Sequence, residues 1–196
     1  MHNNLKELKF IHITKTAGTS IEDIGFEKGI SWGRNHKEYG NCFQFWHQLF
    51  PRVDRKIKDK YDWFMVVRDP YTRLVSEYHF FNQKSAIIKQ NLSVKDFNNS
   101  IQENIQIANN GACGHYLSQH RYLDDTCKIH VLSFENLESD FNKLMCRYNL
   151  DLTLDKHLNK REYVFTKDDF TNETIDIINR VYKLDFEQFN YKMIHI

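Results

Sequence analysis

The residues near the start of the chain that are best suited to chemistry are a lysine, a glycine and two hydroxyl side chains. Lys15, Gly18, Thr19 and Ser20 follow a β-rich stretch and lead into a helical pattern in the sequence FIHITKTAGTSIED. A helix N-terminus offers unpaired N–H groups and a partial positive charge, to which Lys15 adds a full charge. Gly18 would let the backbone approach a ligand closely. The stretch therefore predicts a phosphate or sulfate site, with an ordinary turn capped by Thr19 or Ser20 as the alternative.

A second stretch, VVRDPYTRLVSEYHF, puts an arginine between an apolar run and a helical pattern. Asp69 is a good N-cap and Pro70 a good first helical residue, so we expect the helix to begin here. Arg68 then stands at the strand end, where its planar guanidinium suits a phosphate, and Ser76 lies two turns into the helix. Arg73 could serve the ligand or pair with Asp69 or Glu77, and the structural role is favoured. This stretch predicts a second anion contact.

Three β-rich stretches must position these residues, and each is followed by a helical pattern. We expect strands over residues 8–13, 63–67 and 128–134. Strand–helix repeats of this kind indicate an α/β fold with a central parallel sheet flanked by helices. Because right-handed crossovers put the carboxyl ends of such strands at one edge, Lys15 and Arg68 are expected at the same edge.

The remaining apolar periodicity predicts helices on either side of these strands. They are expected over residues 19–26, around 43–50, from 70 onward, over 94–109, weakly over 115–123, behind the third strand, and over 171–189. Glu22 and Asp23 are expected in the first turn of the first of these helices, where the dipole favours acidic groups.

Composition limits the class of protein. With 196 residues the chain is expected to be a single domain over residues 1–196. The net charge of +1 argues against nucleic-acid binding by bulk charge. The sequence has no long apolar run and no signal-peptide pattern, and its four cysteines form no C-x-x-C pair. We therefore expect a cytoplasmic or otherwise soluble protein with reduced thiols, no membrane segment and no bound metal.

Together the two turns resemble those of sulfotransferases that use 3′-phosphoadenosine 5′-phosphosulfate (PAPS), above all the carbohydrate enzymes of the heparan and uronyl 2-O type. HITKTAGTS resembles that family's 5′-phosphosulfate loop, and VRDPYTRLVSEY resembles its 3′-phosphate element. Weaker likenesses, such as FENL in residues 134–137, extend through most of the chain. Thr14 and Ser118 stand where proline is common in the family. The resemblance implies a P-loop-like sulfotransferase fold.

The resemblance also implies site residues and a reaction. An acceptor hydroxyl would attack the sulfur of PAPS in line, releasing 3′,5′-ADP, and the acceptor is expected to be a carbohydrate or another hydroxyl compound. Arg68 and Ser76 would bind the 3′-phosphate, and Lys15 would stabilise the leaving phosphate. The other expected contacts to the 5′-phosphosulfate come from the rest of that loop, namely Thr16, Ala17, Gly18, Thr19 and Ser20.

A general base must take the proton of the acceptor hydroxyl. Cys113-Gly114-His115 resembles a Cys-Gly-His segment of the 2-O-type relatives, which favours His115, and histidine titrates near neutral pH. His47, in a segment resembling W-H-x-P, is the next candidate and is interpreted more readily as a contact to the acceptor or the phosphosulfate. Glu22 could also reach into the site from the first turn of the helix. Gln119 could contact the acceptor or the cofactor, or lie at the surface.

Two other functions remain open at this point. A P-loop-type nucleotide or small-molecule kinase would need a lysine after the glycines, but Lys15 precedes Gly18, and it would need an acidic Mg²⁺ ligand at a strand end, where Arg68 stands instead. A non-catalytic module that binds 3′,5′-ADP would be marked by loss of Lys15 or of the base, and both positions are occupied.

Overall fold

The computed structural model describes residues 5–36, 49–82, 93–109, 114–154 and 163–196. The chain divides into two compact units. The first consists of Met1–Val67 and Arg121–Lys160, and the second of Arg68–His120 and Arg161–Ile196. The single domain expected over residues 1–196 stays a prediction.

The first unit is built on a parallel sheet of three strands in the order β1-β2-β3. Leu8 pairs with Asp62 and Trp63 with Ile129, so all three strands run in the same direction. Their bounds are β1 at Leu8–Ile11, β2 at Asp62–Val67 and β3 at Ile129–Ser133. The mixed α/β fold with a central parallel sheet is therefore confirmed, although β1 ends two residues earlier than expected.

Helices and apolar side chains flank this sheet in the first unit. The helices are α1 at Gly18–Glu27, α2 at Arg55–Lys58 and α5 at Leu137–Arg147. Phe64 of the central strand packs against Trp32 at a ring distance of 5.1 Å and against Phe10 at 4.9 Å. Phe141 of α5 meets Phe64 at 6.3 Å. Burial of these aromatic rings supplies the main driving force for this half of the core.

The second unit consists of helices. They are α3 at Pro70–Asn82, α4 at Val94–Asn109, α6 at Asn172–Val181 and α7 at Lys183–Phe189. Its core is aromatic: Phe97 of α4 contacts Tyr78 of α3 at a ring distance of 4.8 Å and stacks on Phe165 and Phe170 at 4.9 and 5.1 Å. The amphipathic pattern of α4 predicted both of its ends.

Two predicted helices differ from the structure. The helix expected over 171–189 breaks at Tyr182, which is fully buried and donates its hydroxyl to the carbonyl of Tyr116 at 2.6 Å. Since no glycine or proline stands there, the sequence carried no signal for the break. The weak helix over 115–123 is instead a turn followed by a 3₁₀ helix at Gln119–Tyr122. The helix expected around 43–50 lies largely outside the described residues.

Candidate functional site

The turn after β1 leads into α1 through two residues in the left-handed region. Lys15 has a φ of 59° and Ala17 a φ of 69°. Ala17 is the N-cap of α1 and provides no side-chain cap, so Thr19 and Ser20 lie inside the helix and do not cap it. Left-handed residues beside a helix N-terminus gather backbone N–H groups in a way that suits an anion. The alternative, an ordinary turn with Thr19 or Ser20 as the helix cap, is therefore wrong about the residue that caps the helix.

Gly18 is required for a reason that the sequence did not indicate. It does not have a positive φ, but a Cβ atom at this position would lie 2.4 Å from Nε2 of His12. No real Cβ approaches a ring atom so closely, so the imidazole occupies the space that any other residue would fill. His12 is buried just beyond the end of β1, and its ring packs against the start of α1.

A buried carboxylate holds His12. Oε1 of Glu22 lies 2.7 Å from Nδ1 of His12 and accepts the backbone N–H of Arg34 at 2.9 Å. Its other oxygen lies 3.3 Å from Nε of Arg34. Gly33 passes over this carboxylate with a φ of 50°, and a Cβ there would lie 1.8 Å from Oε1. Glu22 is completely buried and beyond the first turn of α1, so it positions the turn and is not available as a base.

The hydroxyl groups of this turn have different roles. Oγ1 of Thr16 donates to the carbonyl of Ile13 at 2.8 Å, and its side chain is fully buried, so it stabilises the turn. The side chain of Thr19 is exposed, and those of Lys15 and Ser20 are half-buried. Of the residues expected to contact the phosphosulfate, these three are the ones whose polar side chains a ligand can reach.

The turn after β2 begins α3 as the sequence predicted. The carboxylate of Asp69 accepts the backbone N–H of Thr72 at 2.8 Å, which makes it the N-cap, and Pro70 is the first helical residue. Nε of Arg68 donates to Oγ1 of Thr72 at 3.2 Å. The base of the guanidinium is thereby tied to the first turn of α3.

A buried amide fixes the backbone of Arg68 at this turn. The N–H of Arg68 donates to Oε1 of Gln119 at 2.9 Å, and Nε2 of Gln119 donates to the carbonyl of Arg68 at 2.8 Å. Gln119 is fully buried, so it neither lies at the surface nor presents its amide to a ligand. Its role is to hold the residue that was predicted to contact phosphate.

A second buried carboxylate holds Gln119 in turn. Asp185 of α7 accepts the backbone N–H groups of Gln119 and His120, both at 2.8 Å, and lies 2.9 Å from Nδ1 of His120. Asp185 is completely buried. The sequence does not point to this residue, because one aspartate in a C-terminal helix gives no sign of a partner 66 residues away.

Within α3, Arg73 has the structural role that the sequence favoured. It is fully buried and donates to the carbonyls of His115 and Leu117 at 3.1 and 2.6 Å, and its Nη1 lies 3.8 Å from Oε1 of Glu77. Ser76 is almost fully buried, and its Oγ lies 3.0 Å from the hydroxyl of Tyr163. Arg73 thus fastens the segment that contains His115 to α3.

His115 forms a pair with a buried glutamate. Its Nδ1 lies 2.9 Å from Oε2 of Glu77, which is completely buried, while the imidazole itself is 22% exposed. The ring stacks on Phe80 and meets the edge of Phe81 at 4.9 Å. Because a carboxylate only accepts, the hydrogen of a neutral His115 ring lies on Nδ1, and Nε2 is the nitrogen without a hydrogen. This is the form of histidine that accepts a proton from a hydroxyl group.

Other predicted residues lie outside the described part of the chain. His47 is the chief of these, and Cys113 of the Cys-Gly-His segment is another. Among the described residues, no group of three or more histidine, cysteine, aspartate or glutamate side chains is arranged to hold a metal ion. Nor, within the same ranges, is any helix both long and apolar enough to cross a membrane.

The fold and these turns define the class of protein. A family model described as the sulfotransferase family matches residues 3–192, almost the whole chain. The chain therefore belongs to the sulfotransferase family, it is an enzyme of sulfuryl transfer, and the P-loop-like fold follows from that membership. A search of curated proteins finds no match to this chain.

Proposed function

We propose that this sulfotransferase transfers the sulfuryl group of PAPS to an acceptor hydroxyl, with 3′,5′-ADP as the leaving product. The observation that carries the proposal concerns β1 and β2, which are neighbouring parallel strands. Each is followed by a turn with a cationic side chain and then by a helix N-terminus, with Lys15 in the turn after β1 and Arg68 immediately after β2. Parallel strands end at one edge of a sheet, where α/β proteins bind their ligands.

Lys15 and the start of α1 supply what the leaving group needs. As the bond between sulfur and the phosphate oxygen breaks, negative charge grows on the 5′-phosphate. The ammonium group of Lys15 and the N–H groups of the first turn of α1 stabilise that charge, because they are fixed before the reaction begins. The pair of His12 and Glu22 keeps those N–H groups in place.

Arg68 is the proposed contact to the 3′-phosphate, together with Ser76. A guanidinium donates two parallel hydrogen bonds to a phosphate, and the buried amide of Gln119 keeps the backbone of Arg68 in one position. Pre-organised donors bind more tightly, because less conformational freedom is lost on binding.

His115 is the proposed general base, and Glu77 is its positioning residue. The acceptor oxygen forms a bond to sulfur, the bond from sulfur to the phosphate oxygen breaks, and the acceptor proton moves to Nε2 of His115. Glu77 stabilises the imidazolium that forms, because its carboxylate already lies 2.9 Å from Nδ1. His47, whose surroundings lie outside the described residues, is the alternative base.

The proposed acceptor is a hydroxyl of a carbohydrate, on the resemblance of both turns to carbohydrate sulfotransferases. The surroundings of His115 are consistent with this choice. Phe81 is 46% exposed, although it is a large apolar side chain, and its ring lies 4.9 Å from the imidazole. Binding sites commonly combine such an aromatic surface with a few polar groups, and a sugar ring has an apolar face that an aromatic ring can cover.

Calorimetric titration with 3′,5′-ADP tests the nucleotide site. Lys15→Ala and Arg68→Ala should each weaken binding by about 10- to 100-fold, since each removes charged hydrogen bonds. Lys56→Ala and Arg52→Ala are matched controls, because both side chains are exposed and lie outside the two turns, Lys56 in α2 and Arg52 in the 3₁₀ helix at Phe50–Arg52. Both variants should bind as the wild type does. If the wild type binds adenosine as tightly as 3′,5′-ADP, the proposal is wrong.

Sulfuryl transfer from PAPS to a panel of sugars and phenols tests the base and the acceptor. His115→Ala should keep its affinity for 3′,5′-ADP and lose turnover by about 10²- to 10⁴-fold. His47→Ala is measured beside it. If His115→Ala turns over normally and His47→Ala does not, His47 is the base. Transfer to phenols alone would overturn the carbohydrate acceptor.

A further inference from the structure

A buried histidine fastens a short segment of the second unit to α3. Nε2 of His79 accepts the backbone N–H groups of Val164 and Phe165, at 3.1 and 3.3 Å. Nδ1 of the same ring lies 2.8 Å from the carbonyl of Val75. A carbonyl only accepts, so Nδ1 carries the hydrogen, and Nε2 is left as the acceptor of a neutral ring. Both ring nitrogens are therefore used in holding the segment.

The same segment brings a tyrosine to the serine of the 3′-phosphate element. The ring of Tyr163 packs against the ring of His79, with centroids 4.5 Å apart. Its hydroxyl lies 3.0 Å from Oγ of Ser76. Ser76 and His79 are three residues apart on α3 and so share one face of that helix. One side of α3 thus carries both His79, which binds the segment, and Ser76, which pairs with the hydroxyl of Tyr163.

We propose that Tyr163 is a further anion-binding residue, whose hydroxyl donates to the 3′-phosphate of the donor nucleotide beside Ser76. This inference rests on the proposed function. Ser76 is 3% exposed, whereas Tyr163 is half-buried. A ligand that reaches Oγ of Ser76 must therefore meet the hydroxyl that lies 3.0 Å from it.

The hydrogen-bonding capacity of the two hydroxyls fits an anion. Each hydroxyl has one hydrogen to donate and accepts with its oxygen. When Ser76 donates to the oxygen of Tyr163, the hydrogen of the tyrosine hydroxyl is available to a phosphate oxygen. Hydrogen bonds to a charged acceptor are about twice as strong as neutral ones, so the tyrosine hydroxyl contributes to affinity. His79 acts through Tyr163 and is a positioning residue.

Tyr163→Phe removes only the hydroxyl and leaves the ring on His79. Its affinity for 3′,5′-ADP should fall about tenfold, as expected for the loss of one charged hydrogen bond. Its affinity for 5′-AMP, which has no 3′-phosphate, should not change. Tyr191→Phe is the matched control, because it removes a tyrosine hydroxyl from the chain after α7. This control should bind both nucleotides as the wild type does.

A double-mutant cycle tests the role of His79. His79→Phe keeps an aromatic ring but loses both hydrogen bonds to the segment, and it should weaken 3′,5′-ADP binding about as much as Tyr163→Phe. If the histidine acts by holding the tyrosine, the double variant loses little more than either single variant. Additive losses would contradict the positioning role. Unchanged 5′-AMP affinity and a cooperative urea transition show that each variant is folded.

Two failures are distinguishable. If the wild type binds 5′-AMP as tightly as 3′,5′-ADP, no 3′-phosphate site exists, and the proposed function and this inference fail together. If the wild type discriminates between the two nucleotides and Tyr163→Phe discriminates equally well, only the role of Tyr163 is overturned.

Discussion

The turn after β1 and the turn after β2 are both held by buried carboxylates, but the carboxylates come from very different distances along the chain. Glu22 holds His12 from 10 residues away and the N–H of Arg34 from 12. Asp185 holds Gln119 from 66 residues away, and Gln119 holds Arg68 from 51. The first turn is built from one local stretch of sequence, whereas the second depends on segments that meet only in the folded unit.

Each turn is therefore sensitive to a different kind of substitution. The local turn is vulnerable to crowding, since glycines at 18 and 33 leave room for a ring and a carboxylate. The long-range turn is vulnerable to the loss of one acceptor, since the single buried carboxylate of Asp185 accepts several hydrogen bonds. Closing a long loop costs only slightly more entropy than closing a short one, so the long-range arrangement is not intrinsically weak.

The largest expected effect is in the long-range turn. Asp185→Ala removes the acceptor of four hydrogen bonds, two from the backbone N–H groups of Gln119 and His120 and two from Nε2 of Gln119 and Nδ1 of His120. The free energy of unfolding should fall by about 3–5 kcal/mol in urea denaturation, because each buried N–H group left without an acceptor costs about 1–3 kcal/mol. Asp168→Ala, at an exposed position, is the control and should change it by about 0.5 kcal/mol or less. Equal effects would mean that the buried carboxylate does not hold the turn.

Crowding in the local turn gives the next effect. Gly18→Ala puts a Cβ 2.4 Å from Nε2 of His12 and should lower the free energy of unfolding by about 1–3 kcal/mol. The imidazole causes the clash, so the double variant with His12→Ala should lose less than the sum of the two single variants. Additive losses in urea denaturation would show that the crowding arises elsewhere.

Much of the local turn could be predicted from the sequence. Lys15, Gly18 and the helix start were identified because charge, bend and helix lie within a few residues. The reason why a glycine is needed at position 18 could not be predicted. Nothing in the sequence shows that His12 lies outside the strand and that its ring packs against Gly18. Glu22 was expected to complement the helix dipole, but burial under Gly33 makes it an acceptor within the turn.

For the long-range turn, the sequence predicted the start of α3 but not the buried residues that hold the turn in place. Asp69 and Pro70 form an N-terminal signal that is complete within two residues, and the structure confirms it. Gln119, Asp185 and Tyr163 act through contacts more than 50 residues apart in the chain. Only an assembled fold brings such residues together, so local pattern and propensity could not identify them.

The comparison can also be tested by pH, because each unit contains a histidine with a lowered pKa: His79, which is buried, and His130, which is half-buried. Burial lowers the pKa of His79 below 6.5, and burial together with the charges of Lys128 and Arg147 lowers that of His130. In the unfolded chain the two imidazoles bind protons as the pH falls through 6.5. In the folded chain they bind protons only at lower pH. Stability is therefore present above pH 6.5 and decreases below it.

His79 should account for more of this loss than His130 does. Protonation puts a hydrogen on Nε2 of His79, which faces two backbone N–H groups. Nε2 of His130 already donates to Tyr148, whose hydroxyl donates to Asp62, so its bond survives. NMR titration of the two imidazoles gives the pKa values, and urea denaturation of His79→Phe and His130→Phe at pH 7.5 and 5.5 compares the losses. An unchanged pH dependence in His79→Phe would refute the assignment.

The smallest expected effect lies on the same helix as the largest. Lys183 and Glu187 of α7 form an ion pair at 3.6 Å, and both side chains are at least half exposed. Solvent screens such pairs, so Lys183→Ala should change the free energy of unfolding by about 0.5 kcal/mol or less in urea denaturation. Asp185 lies between them in the sequence but faces the core. A loss from Lys183→Ala as large as that from Asp185→Ala would mean that α7 matters as a whole helix, and that the buried carboxylate has no special part in holding the turn.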